Sequence, residues 1–210
     1  MASSSTPIGP DTRAVRHLPN LICLARIALI YPIVVTLQAA DYALSLALFT
    51  VAAVSDGLDG YLAKRFGWTS AFGKFIDPLA DKLLLVTVFI TTTWLGLVPW
   101  WLTAAAVARD VMIGLGALIF RLWFGPLRGR PTVISKINTL MQLGYLVAVM
   151  LLAAFGVLPP EMVQALAYVT FVTTVLSGGD YLYAFTKRAW DLPPGSIRSA
   201  AAPTGETGRR

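Results

Sequence analysis

Four carboxylates stand at helical spacing in one stretch of the chain. Asp56 and Asp59 lie in Ser55-Asp56-Gly57-Leu58-Asp59-Gly60-Tyr61-Leu62-Ala63-Lys64-Arg65. Asp77 and Asp81 lie in Gly73-Lys74-Phe75-Ile76-Asp77-Pro78-Leu79-Ala80-Asp81-Lys82. Positions i, i+3 and i+7 share a helix face, so Asp56, Asp59 and Ala63 line up with Gly60 beside them, and Asp77 and Asp81 do the same at i, i+4. A short turn between the two segments makes them antiparallel neighbours, so the four carboxylates can converge. Hard oxygen donors suit Mg²⁺ or Mn²⁺. A metal held this way can bind the oxygens of a diphosphate and stabilise a leaving phosphate. The small residues Gly60, Ala63 and Gly73 leave room for a bulky ligand against the backbone. The competing account, carboxylates facing a solvated loop, explains any one of them better than it explains four in register.

The elements that must position these groups are apolar. The 210-residue chain is 56% hydrophobic and 13% charged, against about a quarter charged in a soluble domain. Six stretches are predicted to cross a bilayer as helices: Leu21–Leu37, Tyr42–Ser55 (continuing through Asp56 to about Ala63), Ile76–Leu97, Trp100–Leu122, Val133–Ala154 and Met162–Phe185. The fold class is therefore an all-α integral membrane protein with six transmembrane helices. Residues 1–17 form an N-terminal tail and interfacial segment, 18–188 the membrane domain, and 189–210, rich in Ser, Ala, Pro and Gly, a disordered tail. Arg26 interrupts the first apolar run after a long polar approach, which favours an uncleaved helix over a signal peptide. The single Cys23 excludes an intrachain disulfide.

Loop charge sets the orientation. The loops Gln38–Asp41, Gly96–Pro99 and Gly156–Glu161 contain no Lys or Arg, whereas the other side collects Arg13, Arg16, Lys64, Arg65, Lys74, Arg121, Arg128, Arg130, Lys187 and Arg188. The positive-inside rule places both termini and the carboxylate cluster on the cytoplasmic side. Trp94, Trp100 and Trp101 mark the outer interface, and Trp68, Trp123 and Trp190 the inner one. The net charge of +6 thus reads as membrane topology. No basic stretch is interleaved with stacking aromatics as in a nucleic-acid module.

Polar residues within the spans are costly, at roughly 2.5–3.5 kcal/mol for an Asp at mid-bilayer, and so are functional candidates. Arg109 and Asp110 sit deep in the fourth span, with an ion pair that only fixes packing as the alternative. Lys136, Asn138, Thr139 and Gln142 open the fifth span, where Lys136, Thr139 and Gln142 are predicted to face one direction. With Arg121, Arg128 and Arg130 they could hold a phosphate at the membrane surface. Arg26 either snorkels to the interface or approaches the site, and Asp180 in the sixth span is a weaker candidate.

The carboxylate segment resembles the signature of the CDP-alcohol phosphotransferase family, D-x2-D-G-x2-A-R-x8-G-x3-D-x3-D. It is matched by Asp56, Asp59, Gly60, Ala63, Gly73, Asp77 and Asp81 at every spacing. The resemblance implies an enzyme that moves a phosphatidyl group from CDP-diacylglycerol to an alcohol and releases CMP. It makes Asp56, Asp59, Asp77 and Asp81 ligands of Mg²⁺ or Mn²⁺, two ions in all, with Asp81 also the general base. It places Gly60, Ala63, Lys64 and Gly73 around the donor's cytidine and diphosphate. Lys64 stands where the family has Arg, and a Lys cannot reproduce the bidentate fork.

Asp77-Pro78-Leu79-Ala80-Asp81-Lys82 and Leu18-Pro19-Asn20-Leu21-Ile22 with Arg26 are similar to the branch that makes phosphatidylglycerophosphate or cardiolipin. Arg109-Asp110-Val111-Met112 and Pro131–Thr139 with Gln142 resemble the CMP-forming cardiolipin synthases, which favours phosphatidylglycerol over glycerol 3-phosphate as acceptor. The acceptor set is then Arg109, Arg121, Lys136, Asn138 and Gln142. The resemblance further implies a homodimer in a bacterial inner membrane, with the active site facing the cytoplasm. Two alternatives stand: a small cation-coupled transporter, for which no internal repeat is found, and an inactive lipid-binding relative, for which Lys64 is the motive.

Overall fold

A computed structural model describes residues 18–66, 73–124 and 132–190, with side chains at 24–55, 82–116, 118, 132–184 and 186–187 among them. All of the described elements are helices: α1 (Leu18–Gln38), α2 (Tyr42–Phe66), α3 (Gly73–Trp94), α4 (Trp100–Phe124), α5 (Val133–Phe155) and α6 (Pro160–Trp190). They match the six predicted stretches. Two of them, over Val133–Phe155 and Pro160–Ala184, pass the length and hydropathy test for a membrane span, while Leu24–Gln38, Tyr42–Ser55 and Lys82–Trp94 are shorter apolar runs. The tails 1–17 and 191–210 and the Trp68 position lie outside the described residues.

The chain forms two units, Met1–Val98 with Leu146–Pro160, and Pro99–Tyr145 with Glu161–Arg210. In the first, α1 packs against both α2 and α3. Ile33 and Leu37 of α1, Phe49 and Ala52 of α2, and Leu84, Leu85, Val88 and Phe89 of α3 are buried in its core. Arg26 is 3% exposed, so it does not snorkel to an interface.

Short connections are closed by helix-capping chemistry. After α1, Asp41 N–H donates to Thr36 O (2.9 Å) and Ala40 N–H to Leu37 O (3.1 Å), a Schellman pair that needs a left-handed residue at Ala40 (φ 58°). Asp41 then caps α2 by accepting from Leu44 N–H through Oδ1 at 3.1 Å. After α3 the same pair forms, from Leu97 N–H to Thr92 O and Gly96 N–H to Thr93 O, around Gly96 (φ 73°). That cap explains why α3 stops at Trp94 rather than running to Leu97: a residue at positive φ cannot continue a right-handed helix.

In the second unit the polarity of α6 is inverted relative to a water-soluble helix. Thr170, Thr174 and Ser177 are buried, whereas Val169, Val172, Val175 and Leu176 are exposed. Buried threonine hydroxyls also lie within reach of a carbonyl one turn back in their own helix: Thr174 Oγ1 is 2.8 Å from Thr170 O, and Thr92 Oγ1 is 2.7 Å from Val88 O in the first unit. A hydrocarbon surround selects this pattern, because there the cost falls on exposed polar groups. Trp94 and Trp100 are exposed as a membrane-interface position requires, but Trp101 turns inward. Its ring stacks on Tyr168 at 5.6 Å and meets Phe171 edge-on at 5.2 Å.

Candidate active site

The backbone of α2 is helical through Asp56, Asp59, Gly60, Ala63 and Lys64 to Phe66, and that of α3 from Gly73 through Asp77 and Asp81. The predicted helical register within each pair is therefore present: Asp56 and Asp59 share a face of α2, and Asp77 and Asp81 share a face of α3. The side chains of Asp56, Asp59, Ala63, Lys64, Asp77 and Asp81, and the surroundings of Gly60 and Gly73, lie outside the described residues. The donor set of this stretch contains no Cys or His. Four carboxylates without a soft ligand fit a hard divalent ion such as Mg²⁺ or Mn²⁺. Among the described residues there is no group of three or more His, Cys, Asp or Glu that could hold a metal.

On the second unit the remaining predicted residues separate into two groups. Arg109 of α4 is 4% exposed, and its guanidinium spans three helices. Nη1 donates to Asp110 Oδ1 at 2.6 Å, Nη2 to Ser135 Oγ of α5 at 2.5 Å, and Nη2 and Nε to Ser177 Oγ of α6 at 2.6 and 3.2 Å. Four of its five N–H groups are engaged. The ion pair with Asp110 lies between side chains only 3% and 8% exposed, so it is a desolvated contact rather than a surface pair. Gly178 packs beside the arginine stem: a Cβ there would be in ordinary van der Waals contact, 3.8 Å from Arg109 Cγ and 3.4 Å from Met112 Cε.

Asn138 and Gln142 continue this polar interior along α5. Asn138 Oδ1 accepts from Thr174 Oγ1 (2.8 Å) and Thr173 Oγ1 (3.1 Å), and Gln142 Nε2 donates to Thr174 Oγ1 at 3.4 Å. Lys136 is exposed, so the sequence grouping of Lys136, Thr139 and Gln142 on one face is replaced. The inward row is Ser135, Asn138 and Gln142, at i, i+3 and i+7. Those positions fall within about 60° of one another around a 3.6-residue helix, whereas 136, 139 and 142 spread over about 120°. Arg121's side chain lies outside the described residues. Sequence reasoning missed Ser135, Thr173, Thr174 and Ser177, small hydroxyls that read as ordinary apolar-helix filler. For Thr173, Thr174 and Ser177 the helical spacing from Thr170 was the available signal.

These features define a helical protein with a polar interior in lipid-facing helices and a carboxylate frame suited to a divalent ion. The family model for CDP-alcohol phosphatidyltransferase matches residues 16–176, and the chain belongs to that family, which is membrane-associated. The chain is 31% identical over 191 residues to the probable cardiolipin synthase (CMP-forming) of Drosophila melanogaster, covering 83% of this chain and 59% of that protein. It is 30% identical to the human cardiolipin synthase (CMP-forming), covering 79% and 60%. It is also 31% identical to the CDP-diacylglycerol–glycerol-3-phosphate 3-phosphatidyltransferase of Bacillus subtilis, covering 79% of this chain and 93% of that one. The chain thus spans about 60% of the length of the cardiolipin synthases it matches.

Proposed function

We propose that this chain is a phosphatidyltransferase that takes the phosphatidyl group of CDP-diacylglycerol to a glycerol-type alcohol and releases CMP. The observation that carries this reading is the helical backbone of α2 and of α3 at the signature positions, which sets Asp56 with Asp59 and Asp77 with Asp81 on common faces. Asp56, Asp59, Asp77 and Asp81 would hold two divalent ions, Mg²⁺ or Mn²⁺. When bound, these supply positive charge to the diphosphate oxygens and to the leaving CMP phosphate. Gly60, Ala63 and Gly73 admit the nucleotide to the helix backbone, and Lys64 offers one cation to a donor phosphate. Asp81 takes the proton from the acceptor hydroxyl as its oxygen bonds to the phosphorus of the phosphatidyl group and the anhydride bond to CMP breaks. Arg109, Arg121, Lys136, Asn138 and Gln142 form the acceptor side.

The membrane domain is residues 18–188, with six spans, both termini in the cytoplasm and the site at the inner face of a bacterial cytoplasmic membrane. The absence of Lys and Arg from the three short loops supports that orientation. A homodimer is the proposed assembly. Phosphatidylglycerol is the favoured acceptor, on the Arg109–Met112 and Pro131–Gln142 segments. Glycerol 3-phosphate is the second reading, favoured by the 93% coverage of the Bacillus subtilis relative.

The test is to purify the chain in detergent and supply CDP-diacylglycerol, Mg²⁺ or Mn²⁺, and each acceptor in turn. CMP with cardiolipin is expected. CMP with phosphatidylglycerophosphate instead keeps the mechanism and changes the acceptor. Activity is expected to vanish with EDTA and return with either ion; CMP release that survives EDTA would remove the metals from the mechanism.

A further inference from the structure

Arg26 is 3% exposed, and its guanidinium cannot shed its charge by losing a proton. A cation buried inside an apolar bundle needs a counter-charge, because an uncompensated one is among the costliest groups to desolvate. Arg26, Ile33 and Leu37 are the buried positions of α1 among its described side chains. At about 100° per residue, the spacings i, i+7 and i+11 fall within about 40° of one another. Arg26 therefore continues the stripe of the helix that packs against α2 and α3.

A matching stripe runs along α2, where Ser45, Phe49 and Ala52 are buried. Position 56 is next in the same series, since 45, 49, 52 and 56 lie within about 60° around the helix. Ser45 Oγ is 2.8 Å from Thr36 Oγ1, which fixes the register of the antiparallel α1–α2 pair. From that contact Arg26 is ten residues back along α1 and Asp56 eleven residues on along α2. Those runs rise about 15 Å and about 16.5 Å, so the two positions are level to within one residue. Both belong to the same unit of the chain.

Residues 18–98 and 146–160 of this unit contain five acids: Asp41, Asp56, Asp59, Asp77 and Asp81. Asp41 is out of reach, because it lies beyond the far end of α1, where it caps α2 through Leu44 N–H. The counter-charge is then one of the signature carboxylates, and Asp56 is the one level with Arg26. We infer that Arg26 is a positioning residue whose guanidinium donates to one oxygen of the Asp56 carboxylate and leaves the other to a metal ion. The inference rests on the function proposed above, in which Asp56 is a metal ligand. A ligating carboxylate held by an outer hydrogen-bond partner keeps its orientation, and losing such a partner costs about 10- to 100-fold in metal affinity. Arg26 also offsets one of the four like charges before a metal binds.

The test separates charge from geometry. Mn²⁺ titrated into the purified chain and followed by its EPR signal gives a dissociation constant without turnover. Arg26→Lys keeps the charge but loses the planar fork, and is expected to weaken Mn²⁺ binding about tenfold. An unchanged or tighter dissociation constant overturns the inference, because a cation that only offsets charge would be replaced without loss. With EDTA present, unfolding temperatures in detergent for Arg26→Gln, Asp56→Asn and the double variant make a cycle free of metal. The two changes are expected to be non-additive, with a coupling larger than Arg26→Gln shows with Asp59→Asn, Asp77→Asn or Asp81→Asn. Additivity with Asp56→Asn, or a stronger coupling to another of the three, overturns the pairing. Should Arg26→Gln fail to fold, the cycle is run with Arg26→Lys, and the same ranking is required. A wild-type chain that binds no Mn²⁺ and releases no CMP with any glycerol-type acceptor overturns the proposed function itself. The metal-free cycle still reads the pair in that case, which separates the two failures.

Discussion

At the scale of single residues the proposed chemistry turns on Asp81 and Lys64. Asp81 follows Asp77 by one turn on α3, so one face supplies both a metal ligand and a base. Asp81→Asn keeps the side chain's size and removes its basicity. CMP release is expected to fall about 10²- to 10⁴-fold, the usual worth of general base catalysis, with the donor dissociation constant little changed. Turnover near wild type in that variant would remove the base role. Lys64 offers a point charge where the family signature has a planar fork. Lys64→Arg is expected to lower the KM for CDP-diacylglycerol severalfold with kcat unaltered. An unchanged KM would mean that position 64 does not touch the donor.

At the scale of elements, two contacts make opposite predictions for stability. Ala40 holds a left-handed conformation (φ 58°) to close the α1–α2 turn. An L residue with a Cβ is strained there by roughly 1 kcal/mol, and glycine is not. Ala40→Gly should therefore stabilise the protein by up to about 1 kcal/mol, read as a higher unfolding temperature in detergent. Arg109 works the other way, because it joins α4 to Ser135 of α5 and Ser177 of α6 while neutralising the buried Asp110. Arg109→Ala removes the charged group that pairs with this desolvated carboxylate and should cost about 3–5 kcal/mol. Ser177→Ala removes one hydrogen-bond acceptor and should cost about 1 kcal/mol. Equal losses for the two variants would mean that packing of the arginine stem, rather than its charge, holds the three helices.

At the scale of the whole molecule, the distribution of polarity points to lipid and the distribution of charge to an orientation. At 1.5 Å per residue the 31 residues of α6 make a rod of roughly 46 Å, longer than a hydrocarbon core of about 30 Å. The helix therefore reaches beyond the apolar layer, and its Lys187 end is the proposed cytoplasmic one. Cysteines introduced singly at Val157 and Thr186, both exposed, into a Cys23→Ser background test the orientation. A membrane-impermeant maleimide should label position 157 in intact cells and position 186 only after lysis. The reverse pattern would invert the topology and move the site to the outer face.

The sequence by itself determined the six helices, the helical register of Asp56 with Asp59 and of Asp77 with Asp81, and the family. These properties are local: hydropathy over some twenty residues, and a fixed spacing read against a 3.6-residue turn. It did not determine where α3 ends, because the Schellman cap at Gly96 depends on backbone conformation rather than on hydropathy. Nor did it determine which row of α5 looks inward. Ser135, Asn138 and Gln142 form one such row and Lys136 and Thr139 lie on another, and spacing alone allows either. The choice falls to the partner helix, whose Thr173 and Thr174 meet Asn138 and whose Ser177 meets Arg109. The commitment of Arg109 to three helices and the buried Oδ2 of Asp180, which has no hydrogen-bond partner among the described residues, belong to the same class. Whether a buried polar group is satisfied depends on residues tens of positions away in the chain, so only the tertiary structure could decide it.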